Sequence, residues 1–183
     1  QYGLKLDSNK FLSAFKNSSL STRLKSVEDT LLHISFNGNK LVLADSYIIE
    51  DYFVSFIASF IWKELLDCSN KFTIETVMSH PSKLDFIRLA RKKGFKVYLY
   101  FVSLADPELN QHRVKTRVKF GGHSVDSQKI CQRYYRTMHN LYEALKMVDT
   151  AYIFDNSAGE PKMIAVKKNG VLSVESNYIP KWF

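Results

Sequence analysis

Apolar residues at Ile49, Phe53, Phe56, Ile57, Phe60, Ile61 and Leu65 recur three and four apart, which predicts a helix over residues 46–66 with one buried, aromatic-rich face. The run Phe72-Thr73-Ile74-Glu75-Thr76-Val77 alternates and reads as a strand. Ser79-His80-Pro81 then opens a helix that runs to Lys93 and stops at Gly94. Residues 96–103 are a near-continuous apolar run, the mark of a buried strand. Pro107 starts a helix to about residue 120, Gly121-Gly122 ends it, and Asp126 caps another that runs to about residue 147. Residues 151–155 read as a strand, 156–159 as a loop, and 163–167 with 171–174 as a final strand or hairpin.

Upstream the pattern is weaker. Asp7-Ser8-Asn9 can cap a short helix through Phe15, and Ser26 with Asp29 suits a second to about His33. Asn37-Gly38 between two short apolar runs predicts a β-hairpin turn. Residues 1–45 therefore read as a small accessory insertion, and residues 46–183 as an α/β domain with a lid over 107–147. The alternation of helix and strand in that region predicts a mostly parallel sheet with helices on both faces, a three-layer α/β/α arrangement. The chain of 183 residues is long enough for one domain and too short to expect two.

Composition narrows the class. Hydrophobic residues make up 45% and charged residues 24%, the balance of a globular protein. The longest apolar stretch, Tyr52 to Trp62, is broken by Ser55 and Ser59 and predicts no membrane span. Cys68 and Cys131 lack metal-ligand spacing, and a reducing, cytoplasmic compartment is the expectation. The first residue is Gln1, which reads as a chain that opens inside a longer sequence. A net charge of +8 points to an anionic partner without choosing among nucleotide, nucleic acid and lipid.

Three constellations carry candidate chemistry. Glu75-Thr76, followed by Ser79 and His80, lies at the predicted carboxyl end of a strand, where open α/β sheets bind ligands. It could hold a substrate hydroxyl or a magnesium-bound water; a solvated strand end with a serine cap accounts for the same residues equally well. Arg113 and Arg117 are four apart, and Arg133 and Arg136 three apart, so each pair shares a helix face. From 110 to 136 seven basic residues face the single acid Asp126. Two arginine-bearing helices joined at Gly121-Gly122 suggest a movable flap over phosphates, because guanidinium groups bind phosphate in a bidentate manner. A solvated basic face is the plainer account, and the clustering of Arg rather than Lys favours the flap. His123 read alone is a cap or surface residue. Asp155-Asn156-Ser157 could meet a base or ribose, although an Asx turn is the simpler reading. No zinc spacing, Ser-His-Asp or Cys-His arrangement and no G-x-x-x-x-G-K-[ST] motif is present.

Phe-x-x-Glu-Thr-Val-Met-Ser-His-Pro at 72–81, Arg-Val-Lys-Thr-Arg-Val-Lys-x-Gly-Gly-His-x-Val at 113–125, Arg-Tyr-Tyr-Arg-Thr at 133–137, Asn-Leu-Tyr-Glu-Ala at 140–144 and Phe-Asp-Asn-Ser at 154–157 occur in an order that resembles the zeta-toxin family of P-loop proteins, most of all the bacterial zeta-toxin-like ATPases. Each motif alone is weak; the set is specific and covers residues 46–165. The resemblance implies a P-loop kinase fold with a parallel five-stranded sheet and a flexible lid. It implies ATP and Mg2+ as cofactors and transfer of phosphate to a small-molecule acceptor such as UDP-N-acetylglucosamine, with an antitoxin protein as partner of the toxins proper. Arg113, Arg117, Arg133 and Arg136 fall on the lid whose arginines contact ATP phosphates. Glu75 falls on the acidic residue of the acceptor side, with Thr76, Ser79 and His80 beside it. Asn156 lies in the loop near the adenine, and His123 is placed with it on the nucleotide side.

The chain departs from that family in one respect. The strand, the P-loop and the following acidic residue would all precede Gln1, so the lysine and hydroxyl that hold the β- and γ-phosphates and magnesium are not in these 183 residues. A central strand would be missing as well, which predicts an unpaired sheet edge and an exposed core. Two further readings remain: a non-catalytic relative that binds nucleotide or antitoxin, and a nucleic-acid-binding module. The latter ranks last because the arginines concentrate in one segment.

Overall fold

The computed structural model describes residues 4–183. The chain divides into two compact units, the first ending at Ile74 and the second running from Glu75 to Phe183.

In the first unit, helix α1 (Ser8–Lys16) is capped by Asp7, which accepts from the Lys10 N–H, and buries Phe11 and Phe15. A 3₁₀ turn (Ser21–Arg23) leads to α2 (Val27–Leu32), capped by Ser26 accepting from the Asp29 N–H. Strands β1 (Ile34–Asn37) and β2 (Lys40–Leu43) form an antiparallel hairpin. Its central residues are Gly38 and Asn39, one position later than the alternation suggests, and Gly38 takes the positive φ of 57°. Helix α3 (Asp51–Cys68) sets Phe53, Phe56 and Phe60 against Phe11 and Phe15, with ring centroids 5.0–5.3 Å apart in edge-on and tilted pairs. These aromatic contacts draw α3 into the first unit. The boundary between the two compact units therefore lies after Ile74.

The second unit holds α4 (Ser82–Lys92), β3 (Tyr98–Ser103), α5 (Pro107–Lys119), α6 (Ser127–Met147), β4 (Thr150–Asp155), β5 (Lys162–Lys168) and β6 (Val171–Val174). Its sheet runs β3-β4-β5-β6. Only β3 and β4 are parallel; β4–β5 and β5–β6 are antiparallel, which corrects the expectation of a mostly parallel sheet. The reason is connection length: α5 and α6 fill the crossover between β3 and β4, whereas the short loop 156–161 permits only a hairpin return. Asn169 and Gly170, both at positive φ, close the β5–β6 hairpin.

The core lies between the sheet and the helices. Phe101, Ile153 and Ile164 meet Leu84, Leu141 and Ala144, so α4 and α6 cover one face. The other face is open among the described residues. Tyr98, Tyr100 and Val102 alternate along β3 with 56%, 65% and 53% of their surface exposed. Helices on both faces are thus not observed. Among the described residues strand β3 is also an edge, paired only with β4.

Residues 72–77 form no strand, contrary to their alternating pattern. A strand exists only by pairing, and no described strand pairs with them. Instead, side chains of α6 reach this chain segment: Thr137 Oγ1 donates to the Val77 carbonyl at 2.8 Å and Asn140 Nδ2 to the Met78 carbonyl at 2.8 Å. Met78 adopts a positive φ of 57° and ends the extended run.

Candidate functional site

The carboxyl ends of the parallel pair, Ser103 on β3 and Asp155 on β4, lie in register. Chain segments from four places in the second unit converge there. The Asn156 N–H donates to the Ser103 carbonyl at 2.8 Å, and the Ala105 N–H donates to Ser157 Oγ at 2.7 Å, tying the loop after β4 to the loop after β3. Asp155 is buried at 6% exposure and accepts from the Ser157 N–H (2.9 Å), the Ser157 hydroxyl (3.0 Å) and the Trp182 indole N–H (2.6 Å). Burial alone raises the pKa of this carboxyl. The hydrogen bonds from Trp182 and Ser157 and the charge of Lys162 outweigh it, and the carboxyl is held below its ordinary value.

The arginines of α5 meet this framework differently. Helix α5 begins at the Asp106 cap, whose carboxylate accepts from the Leu109 N–H. Two turns on, Arg113 Nη2 donates to the Asn156 carbonyl at 2.6 Å. With the Asn156 amide oriented to satisfy both its ends, its oxygen also accepts from Arg113 Nη1 at 3.2 Å and its nitrogen donates to the Gly159 carbonyl at 3.0 Å. Arg113 and Asn156, predicted separately, thus form a bidentate pair. Arg117 points elsewhere and donates to the His123 carbonyl at 2.9 Å. The His123 side chain is exposed, and its backbone rather than its ring serves the turn.

Gly121-Gly122 is a closed helix cap. The Gly121 N–H donates to the Val118 carbonyl and the Gly122 N–H to the Arg117 carbonyl, both at 3.0 Å, with Gly121 at φ 83°. That is the Schellman pattern, which needs a left-handed residue after the last helical turn. The segment read as a hinge is therefore a hydrogen-bonded turn. Gln111 Nε2 donates to Cys131 Sγ at 3.1 Å and fastens α5 to α6 beyond it.

Helix α6 joins the two sides of the site. Asp126 caps it by accepting from the Lys129 N–H at 3.0 Å, as the sequence predicts. The Tyr134 hydroxyl shares its proton between the Leu104 and Ala105 carbonyls, each at 3.1 Å. Burial, then the nearby Asp106 carboxylate, raise its pKa. Arg133 lies four residues before Thr137 and Arg136 four before Asn140, the two side chains that hold Val77 and Met78. Both arginines are exposed and sit on helix rows that lead to residues 75–80.

Among the acceptor-side candidates, Glu75 and Thr76 are exposed, and Thr76 Oγ1 accepts from the Met78 N–H at 3.3 Å. Ser79 is half-buried. Just before Pro81, the N-cap of α4, His80 Nδ1 accepts from the Ser82 N–H at 3.2 Å and lies 2.9 Å from the Ser82 hydroxyl. At the second residue of α4, burial lowers the pKa of the Lys83 ammonium. The structure therefore brings Arg113 to Asn156 and α6 to residues 77–78. It assigns Arg117, His123 and His80 hydrogen bonds that complete turns and caps.

Guanidinium donors at the ends of parallel strands fit phosphate oxygens. Among the described residues no three His, Cys, Asp or Glu side chains cluster to hold a metal ion. No described helix is long and apolar enough to cross a membrane.

Tyr134, Thr137, Asn140 and Trp182 were not singled out by sequence reasoning, whereas Asp155 was, with Asn156 and Ser157. The first three stand inside the quoted motifs, where repeated polar residues on a core-facing helix are a usable signal. Trp182 carries no local signal, because its partner is far away in sequence.

Comparison with known proteins adds little. No protein-family model matches the chain, and no solved structure does. A protein of Haemophilus influenzae (strain ATCC 51907 / DSM 11121 / KW20 / Rd), named only as an uncharacterized protein, is 33% identical over 63 residues. The match takes in 34% of this chain and 45% of that protein, less than half the relative's length.

Proposed function

We propose that this chain is the lid and acceptor-side part of an ATP-dependent phosphotransferase of zeta-toxin type, which transfers phosphate to a small molecule such as a UDP-amino sugar in the cytoplasm. One observation carries the reading. Residues of the separate motifs pair with one another: Arg113 with Asn156 beyond β4, Thr137 and Asn140 of α6 with Val77 and Met78, while Tyr134 of α6 reaches the end of β3. In this reading Arg113, with Arg133 and Arg136 from α6, neutralises phosphate charge, and Arg117 shapes the turn that carries the lid. Glu75 orients the acceptor hydroxyl, with Thr76 and Ser79 beside it and His80 fixing the start of α4. Bound ATP supplies the transferred phosphoryl group; the P-loop lysine, the hydroxyl and the Mg2+ ligands lie outside residues 1–183. The unpaired edge of β3 and its bare face suit a strand and layer supplied by that missing part. An antitoxin is a further partner that such a protein would take.

Calorimetric titration of the chain with ATP, with and without Mg2+, and with tripolyphosphate tests the phosphate clamp. Saturable heat with ATP and tripolyphosphate, reduced about tenfold or more in affinity by Arg113→Ala or Arg133→Ala, is expected for charge-assisted contacts. Absence of heat with every ligand overturns it.

A second reading has its own observation. On the open sheet face the rings of Tyr100 and Tyr152 stack at 5.0 Å, and Lys168 Nζ lies 5.8 Å above the Tyr152 ring. An aromatic platform rimmed by lysine is a surface for single-stranded nucleic acid. Affinity for an oligonucleotide that falls steeply with salt and is lost in Tyr100→Ala would favour this reading over the first.

A further inference from the structure

The carboxyl end of β4 is fixed from a direction that the phosphotransferase reading does not use. After β6 the chain returns to the helix-covered face of the sheet, where Pro180 is fully buried and the Trp182 ring packs 6.1 Å from Phe101. There the Trp182 indole N–H donates to Asp155 Oδ2, the oxygen that also receives the Ser157 hydroxyl. Asp155 Oδ1 takes the Ser157 N–H, which sets the backbone that presents the Asn156 carbonyl to Arg113.

We infer that Trp182 is a positioning residue: through Asp155 and Ser157 the C-terminal tail holds the loop after β4 in the shape that clamps the Arg113 guanidinium. Three links make the chain, from Trp182 to Asp155, from Asp155 to Ser157, and from the Asn156 carbonyl to Arg113. Each is a hydrogen bond of 2.6–3.0 Å. The buried carboxylate is the rigid element. It has three donors and two oxygens, so loss of the tryptophan donor leaves Oδ2 with the Ser157 hydroxyl alone, and that hydroxyl also receives the Ala105 N–H. The loop then loses its fixed anchor while Arg113 keeps its helix. The importance of Arg113 for phosphate rests on the function proposed above; the positioning itself does not.

The test is Trp182→Phe, which keeps an aromatic ring against Phe101 and deletes the donor. Side-chain nitrogen NMR of Arg113, assigned from its loss in Arg113→Lys, reads rotation of the guanidinium, which bidentate bonding slows. Rotation at Arg113 is expected to quicken several-fold in Trp182→Phe and in Ser157→Ala. Arg117, on the same helix but bonded to the His123 carbonyl, is expected to stay unchanged. Unchanged rotation at Arg113 in either folded variant overturns the proposal. So does equal quickening at Arg113 and Arg117, which would show general loosening of α5. If Trp182→Phe fails to fold, Ser157→Ala breaks the middle link with the tail intact and decides alone. Titration of the parent protein with ATP separates the two ideas: no ATP-dependent shift at Arg113 removes the phosphate role, while the effect of Trp182→Phe on rotation still stands or falls by itself.

Discussion

Gly122→Ala perturbs the turn that closes the C-terminal end of α5. A Cβ at Gly122 would lie 2.5 Å from Arg117 Cγ and 2.8 Å from the Arg117 carbonyl oxygen. The side-chain carbon can swing away, but only by disturbing the guanidinium that reaches the His123 carbonyl. The carbonyl oxygen cannot swing, because it accepts the Gly122 N–H of the Schellman cap. Loss of that hydrogen bond costs about 1 kcal/mol, and relief of the overlap adds about 1–3 kcal/mol. Gly121→Ala provides the contrast. Gly121 has φ 83° with open space around its would-be Cβ, so the expected cost is only the left-handed backbone, about 1–2 kcal/mol. Urea unfolding followed by Trp182 fluorescence in a Trp62→Phe background reports on the second unit, where both glycines lie. Gly122→Ala should unfold at lower urea than Gly121→Ala. The reverse order, or a midpoint for Gly122→Ala equal to the parent, refutes the account of the turn as a closed cap and restores a loose hinge.

Other expected outcomes follow from single contacts. Asn140→Ala removes the buried donor to the Met78 carbonyl and should lower stability by about 2 kcal/mol, read as a shift in the urea midpoint. Asp155 has a folded pKa below its unfolded value, so its contribution is present above the unfolded pKa and is lost as pH falls through the folded one. The parent should therefore lose stability on acidification through that window, and Asp155→Asn should be less stable at neutral pH with a flatter acid limb, measured by melts across pH. Tyr100→Lys places a charge on the unpaired edge strand; it should change stability by less than about 1 kcal/mol and reduce concentration-dependent association in sedimentation, since a charged edge resists strand addition.

Local elements were legible in the sequence where side chains alone decide them. Asp7, Ser26 and Asp126 cap the helices they were expected to cap, because capping involves neighbours within three residues. The aromatic stripe of α3 announced a buried face. It did not announce that the face meets Phe11 and Phe15, since periodicity carries no information about the partner. Residues 72–77 alternate as a strand does, yet a strand is a property of two segments, and no described neighbour supplies the second. The same limit explains β5: its composition suits either direction, and only the shortness of the loop after Asp155 makes it antiparallel. For the candidate site, Arg113 and Asn156 were each visible as residue types suited to a nucleotide. Their bidentate pairing was not visible, because it depends on the strand register that sets the Asn156 carbonyl beside α5.

Charge sharpens the choice between the two functional readings. The first unit contains eight Lys and Arg and eight Asp and Glu; the second contains eighteen and ten, so the net charge of +8 resides wholly in Glu75–Phe183. Within that unit Arg113 meets the loop after β4, Arg133 and Arg136 lie exposed on α6, and Lys168 lies over the Tyr152 ring of the tyrosine face. A clamp on one triphosphate concentrates binding in a few bidentate contacts, so a single arginine substitution removes most of the affinity. A surface that tracks a polynucleotide spreads binding over many weak contacts, so each lysine substitution lowers affinity evenly and reduces the salt slope by about one. The tyrosine face can bind a strand only while it is bare, whereas a phosphotransferase that supplies the missing strand and layer would cover it. Occupation of that single sheet face is thus the structural variable on which both readings turn.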